Sequence, residues 1–234
     1  MSIYTIADLH LSFLHNKSMD IFGENWENHA EKIEYNWKNT VTENDNVILA
    51  GDFSWAMYLK DTELDFKFLN SLPGNKILLK GNHDYWWTTI AKMDRFIQDN
   101  GYKNIHFLYN NSYLIEDKII VGTRGWNILD TSDDSKMIKR ENARLELSIK
   151  DGLKKYGDGK EIIVFMHYPP INKNDMSENE PTEFIETLKK YKIHKCYYGH
   201  LHGLSHKEAI EGEIEGIEYK LISADYLNFN LIKV

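Results

Sequence analysis

Short apolar runs that stop abruptly at a polar, chemically capable block recur along this chain. Residues 3–7 run into Asp8-Leu9-His10, and residues 46–50 run into Gly51-Asp52. Residues 76–79 lead to Gly81-Asn82-His83-Asp84, residues 162–166 to His167, and residues 195–198 to Gly199-His200-Leu201-His202. Continuous apolar runs of this length read as strands buried on both faces. Between the first three, apolar residues recur at helical spacing: Trp26, Ala30, Ile33, Trp37 and Val41, then Leu64, Phe68 and Leu72, then Ile90, Met93 and Ile97. Pro73-Gly74 and Asn100-Gly101 are fitting stops for the second and third of these helices. The order βαβαβα implies parallel strands with helices covering a face.

The middle of the chain changes character. Residues 105–108, 113–115 and 118–122 read as short strands separated by polar turns, in the manner of an antiparallel meander. A long helix over about residues 135–156 places Ile138, Leu145, Ile149 and Leu153 on one side. Arg140 and Arg144 fall on another side with Glu141 and Glu146, which reads as a solvated face. After Tyr168-Pro169-Pro170 come a polar loop, a helix carrying Phe184, Leu188 and Tyr191, and final strands at residues 218–223 and 228–233. The expectation is an α/β fold: two mixed β-sheets packed face to face and flanked by helices, a four-layer αββα sandwich. No linker, low-complexity tract or internal repeat interrupts the pattern, so residues 1–234 read as one domain.

Composition narrows the partners. The net charge of -8 argues against capture of long nucleic acid, which requires a basic face. The single cysteine, Cys196, excludes an intrachain disulfide framework and suits a reducing compartment. Met1 leads directly into an apolar strand, without the layout of a signal peptide, and no apolar run approaches the ~18–20 residues that cross a bilayer. A soluble cytoplasmic protein without a membrane partner is expected.

The blocks at the strand ends offer Asp8, His10, Asp52, Asn82, His83, Asp84, His167, His200 and His202. Strand ends share one edge of an α/β sheet, where ligands gather. Nitrogen and oxygen donors without thiolate suit manganese or iron, with zinc and nickel also suited, better than magnesium. Singly, Asp-x-His or Gly-Asp is an ordinary turn. In this order, each after a strand, they form a pattern. His15, His29, His106, His194 and His206 lie outside it and read as surface or packing residues. Trp55, Tyr85, Trp86, Trp87 and Trp126 read as core rather than as a wall that stacks a base.

On these five blocks the sequence resembles the calcineurin-like metallophosphoesterases. Gly51 to Ala56, Gly81 to Trp87, Gly122 to Trp126, His167 to Pro170 and Tyr198 to Gly203 resemble in particular a bacterial subgroup of that family, and the resemblance spans about residues 3–205. It implies that Asp8, His10, Asp52 and His202 bind one metal ion and that Asp52, Asn82, His167 and His200 bind a second, with Asp52 bridging. It also implies that His83 contacts the substrate phosphate and protonates the leaving group, with Asn82 beside it, while Asp84 orients or caps. The implied activity is hydrolysis of a phosphomonoester or phosphodiester of a small molecule or nucleotide by a hydroxide bound to two metals. Two alternatives stand beside it: a nuclease or cyclic-nucleotide phosphodiesterase, and a non-catalytic metal-binding scaffold. One departure matters. The protein phosphatases of the superfamily continue Gly-Asp with Asp and Arg, whereas Phe53, Ser54, Trp55 and Ala56 follow here, which argues against a protein-phosphatase role. Arg124, flanked by Gly122 and Gly125, is then a candidate to grip the substrate phosphate in place of the missing arginine.

Overall fold

The computed structural model describes residues 1–15, 17, 19–127, 132–171 and 182–234. Eleven strands form two sheets. The first has the order β11-β1-β2-β3-β4, from β1 (Ile3–Ile6), β2 (Asn46–Ala50), β3 (Asn75–Leu79), β4 (Ile105–Phe107) and β11 (Ile232–Lys233). The second has the order β5-β6-β7-β8-β10-β9, from β5 (Tyr113–Ile115), β6 (Lys118–Thr123), β7 (Glu161–Met166), β8 (Lys195–Tyr198), β9 (Gly212–Ile214) and β10 (Ile217–Leu221). Both sheets are parallel at their centres and antiparallel at edges: β11 on β1, β5 on β6 and β9 on β10.

Period-two burial explains the layering. On β2, Ile48 and Ala50 meet Ile77 of β3, Ile120 of β6, and Ile163 and Phe165 of β7 in a cluster shared by the two sheets. The alternate residues Val47 and Leu49 join a second cluster with Ile33 and Trp37 of α1 (His29–Thr40), Phe66 and Leu69 of α2 (Glu63–Ser71) and Met93 and Ile97 of α3 (Ile90–Asp99). Ile119, Val121, Val164 and Met166 do the same in the other sheet, against Leu145 and Ile149 of α4 (Ser132–Tyr156) and Phe184 and Leu188 of α5 (Glu183–Lys190). Strands buried on both faces must be apolar throughout, which is why their sequences run without polar alternation. Each fully buried aliphatic side chain contributes about 1.5–3 kcal/mol. The expected α/β sandwich is therefore present. Among the described residues no helix is long and apolar enough to cross a membrane.

Three expectations need correction. Residues 105–108 do not begin a meander, since β4 pairs in parallel with β3, Ile77 opposite His106, and completes the first sheet. Of these three segments only β5 and β6 form a hairpin. The last strand is shorter than residues 228–233, because Asn228 and Phe229 adopt left-handed backbone conformations at φ 48° and 59° that end any extended run before it. The strand β9 went unpredicted. The polar loop expected after Pro170 falls mostly on residues 172–181, outside the described residues.

The sheets are tied together at the carboxyl ends of their strands. Ala7 N–H donates to Ile222 O at 2.8 Å, and Ala224 N–H donates back to Ala7 O at 3.0 Å, joining the end of β1 to the end of β10. Asp8 N–H donates to Gly51 O at 2.9 Å and Gly199 N–H to His167 O at 3.1 Å. Every polar block of the sequence therefore arrives at one edge.

Candidate active site

Four residues at this edge bend the chain sharply. Asp8, His10, Asp52 and His200 have φ of 61°, 46°, 50° and 76°, in the left-handed region that costs a non-glycine residue about 1–2 kcal/mol. Strain of this kind persists only where the surroundings hold it, and it turns each side chain inward immediately after its strand. Two glycines permit the close approach. A Cβ on Gly81 would lie 2.0 Å from Asp52 Oδ1, and one on Gly199 would lie 2.5 Å from Asp8 Oδ2. Asp84, fully buried, clamps two blocks together. Its carboxylate accepts from the backbone N–H groups of Asp52 (2.9 Å), Phe53 (2.9 Å), Ser54 (3.2 Å) and Gly81 (2.7 Å), and from the Trp86 indole N–H (2.9 Å). It thus ties the Asp52 block to the Gly81 block.

The side chains converge in two groups. In one, His202 Nε2 lies 3.3 Å from His10 Nε2 and 3.6 Å from Asp8 Oδ1, while His10 Nε2 is 3.8 Å from Asp52 Oδ2. In the other, Asn82 Oδ1 lies 2.5 Å from His167 Nε2 and 2.9 Å from His200 Nδ1, with Asp52 Oδ2 3.5 Å from His167 Nε2. Backbone N–H groups of His83 and His200 donate to Asp52 Oδ1 (2.7 Å) and Asp8 Oδ2 (2.9 Å), fixing the carboxylates.

The donor chemistry fits cations. His167 Nδ1 faces Ala50 O at 3.1 Å, and His202 Nδ1 faces Asp225 Oδ1 at 2.8 Å. Those oxygens can only accept, so each ring carries its proton on Nδ1 and turns the lone pair of Nε2 inward. Lone pairs of His167, Asn82 and Asp52 then point at one another, as do those of His202, His10 and Asp8, and Asp8 Oδ1 is buried without a hydrogen-bond partner. Converging acceptors with no proton between them are stable around a positive ion.

In the metal-free chain protons take the place of such an ion, so Asp52 and His202 hold theirs near neutral pH. Burial, then the charge of Asp8, push Asp52 up to about 8. Burial opposes charge on His202, but Asp8 and Asp225 outweigh it and hold this imidazole at about 10. Burial and the neighbouring His167 press His200 down to about 3. Burial would raise Asp8, yet the facing His202, His167 and His10 bring it far below the usual carboxylate range.

His83 stands beside the first group without joining it. Its ring packs 4.5 Å from that of Trp55, which in turn stacks 4.9 Å from His10, and its Nδ1 is buried without a hydrogen-bond partner. Trp55 thus occupies the space next to His83 that follows Gly-Asp in the chain. Of the other aromatic residues singled out, Trp86 and Trp87 are core, while Tyr85 is exposed. Arg124 is largely buried, with Nη2 3.6 Å from Glu141 Oε1 and its guanidinium 4.6 Å from the centre of the Trp126 ring. Its carbonyl accepts from the N–H groups of His167 (3.2 Å) and Tyr168 (2.9 Å), so its backbone braces the His167 block.

Two residues escaped the sequence reading. Asp225 is buried and holds His202 by Nδ1, accepts from Gly203 N–H at 3.0 Å, and lies 3.2 Å from His206 Nε2. His206 is therefore part of the site's outer layer and not a plain surface residue. The available signal was the one used elsewhere: Asp225 follows the apolar end of a strand, as Asp8 does. Glu141, read as solvated, is fully buried on α4 because it accepts from Thr123 Oγ1 at 2.9 Å and from Arg144 Nη1 at 2.6 Å.

A search of curated proteins gives no match to this sequence. Among solved structures, the chain is similar to TT1561 of Thermus thermophilus, at TM-score 0.59 and 12% identity over 99% of this chain and 97% of that one. It is similar also to phosphopantetheinyl hydrolase (PptH) from Mycobacterium tuberculosis, at TM-score 0.57 and 14% identity over 100% and 95%. A protein of unknown function from Aquifex aeolicus, AQ665, gives TM-score 0.52 and 17% identity over 99% and 95%. At such identities the likeness is one of fold. The family model described as calcineurin-like phosphoesterase matches residues 1–204, a stretch holding every expected ligand block. The chain belongs to the calcineurin-like phosphoesterase family and is a metal-dependent phosphoesterase.

Proposed function

We propose that this protein is a dinuclear phosphohydrolase acting on phosphomonoesters or phosphodiesters of small molecules, nucleotides included. The observation that carries the reading is the position of Asp52. One oxygen, Oδ2, lies 3.8 Å from His10 Nε2 and 3.5 Å from His167 Nε2, facing both nitrogen groups. Asp8, His10, Asp52 and His202 would hold one ion, and Asp52, Asn82, His167 and His200 the other. Manganese or iron suits this set of imidazole and oxygen donors, with zinc or nickel as substitutes. Such ions supply Lewis acidity, neutralising phosphoryl oxygens and acidifying water.

The chain's own residues complete the chemistry. His83 holds a proton beside the substrate and delivers it to the departing oxygen. Packing on Trp55 fixes its ring, while its backbone N–H steadies Asp52. Asn82 orients the phosphate, and Arg124 grips phosphoryl oxygens with its planar fork. Asp225, from beyond the family match, reaches His202, which supports treating residues 1–234 as one catalytic domain.

The test is turnover of 4-nitrophenyl phosphate and bis(4-nitrophenyl) phosphate by protein stripped with a chelator and reloaded with single metals. Turnover that vanishes on stripping and returns with manganese or iron is expected. Activity indifferent to the chelator, or absent with every metal, contradicts the proposal.

A further inference from the structure

Beside the hydrolytic site lies a crevice that shares Arg124 with it and holds further charge that site does not use. It opens between the carboxyl ends of β3, β4 and β6 and the helix α4, and Lys80, Asn110, Arg124, Glu141 and Arg144 line it. Glu141 Oε1 lies 2.6 Å from Arg144 Nη1 and 3.6 Å from both Arg124 Nη2 and Arg140 Nη2. Among the described residues one carboxylate thus serves three guanidinium groups. Lys80 adds a fourth cation, half-buried, with no carboxylate within ion-pair distance among the described residues. Arg124 Nε is buried without a hydrogen-bond partner. Such a concentration of positive charge stands out in a chain of net charge -8.

Like charges held together at half-burial repel, and an arriving anion relieves them. The crevice is also next to the chemistry. Lys80 directly precedes Gly81-Asn82, and the Arg124 carbonyl bonds the His167 and Tyr168 N–H groups. Consecutive Cα atoms are about 3.8 Å apart, so the Lys80 and Asn82 Cα atoms lie within about 8 Å of each other. The enclosed space is narrow. Its mouth, where the Arg140 and Arg144 side chains are 51% and 28% exposed, is the part an anion can reach.

We propose that Lys80 and Arg144, beside Arg124, form a subsite for a second phosphate group of the substrate, making small bisphosphorylated molecules the preferred class. Guanidinium forks and an ammonium together match the several oxygens of a tetrahedral dianion better than a planar carboxylate. The inference rests on the phosphohydrolase reading for its meaning, and a binding experiment separates the two.

Adenosine 3′,5′-bisphosphate, adenosine 5′-monophosphate and citrate are titrated calorimetrically into manganese-loaded protein, with free manganese held constant and turnover followed separately by released phosphate, and with Lys80→Gln and the Lys80→Gln/Arg144→Gln double variant in parallel. Among the described residues Lys80 has no ion-pair partner to lose, so the single variant keeps the test valid if the double variant folds poorly. The wild type should bind the bisphosphate about ten- to hundredfold more tightly than the monophosphate, the loss expected when charged hydrogen bonds go unmade. Lys80→Gln should cut that preference severalfold, and the double variant should abolish it. Equal binding of the two nucleotides by the wild type, or a preference that survives the double substitution, overturns the subsite. Citrate binding as tightly as the bisphosphate overturns its assignment to phosphate. If the bisphosphate preference appears but metal-loaded protein turns over no phosphate ester, the subsite stands and the hydrolase reading falls. The reverse result condemns the subsite alone.

Discussion

Replacing Asp225 with alanine removes the carboxylate that holds His202 from behind. The side chain accepts from His202 Nδ1 at 2.8 Å and from Gly203 N–H at 3.0 Å while fully buried, so its loss frees the imidazole to rotate and to change tautomer. Loss of such an outer partner weakens metal binding by about 10–100-fold, or roughly 1.4–2.7 kcal/mol. The effect should be confined to one ion. His167, in the other group, is held independently by Ala50 O at 3.1 Å. Asp225→Asn keeps one acceptor oxygen and should fall between alanine and wild type. Competition with a chromophoric chelator measures both affinities, and thermal denaturation of the metal-free variant shows whether the fold survives. Two ions bound with wild-type affinity in a folded Asp225→Ala protein would refute the reasoning, and so would equal weakening of both.

His83→Ala should retain its metals, because the backbone N–H that steadies Asp52 remains, yet lose about 10²–10⁴ in turnover. The loss should be greatest for alkyl esters with poor leaving groups, and equal losses for alkyl and nitrophenyl esters argue against proton donation. Arg124→Lys preserves charge but not the fork, so kcat/KM should fall about tenfold with metal content and Tm little changed. A lowered Tm with normal turnover identifies Arg124 as no more than the partner of Glu141. Lys76, wholly buried with its ammonium donating to Leu72 O and Gly74 O, is brought by burial from 10.5 to about 8. Below pH 8 it is charged in both states and its burial weakens the fold; between 8 and 10.5 the unfolded chain binds more protons, so stability rises with pH. Urea denaturation at pH 7.5 and 9.5 should show wild type gaining on Lys76→Met by about 2 kcal/mol, and a gap independent of pH would show that Lys76 stays charged.

How far the sequence reveals this molecule depends on the range of the interactions involved. Strands such as β2 and β7 are legible because burial on both faces demands unbroken apolar runs, and the polar residue ending each run is conspicuous. The pairing of β4 with β3 is not legible, because the order of strands in a sheet depends on contacts between segments distant in the chain. Glu141 shows the same limit. Its spacing from Arg144 is a common surface pattern, and only the arrival of Thr123 and Arg124 from β6 buries it. Asp225 sits between the two cases. It ends an apolar stretch as Asp8 does, but its partner His202 lies 23 residues away and comes within reach only when the end of β10 returns beside Ala7.

The measurement closest to the central claim is the metal content of Asp52→Asn. Elemental analysis of purified wild-type protein should give two ions per chain. Because Asp52 Oδ2 faces both His10 and His167, the amide variant should lose occupancy at both positions and fall to one ion or fewer. A folded Asp52→Asn protein that carries wild-type metal would contradict the bridging role, and with it the dinuclear site on which the proposed hydrolysis depends.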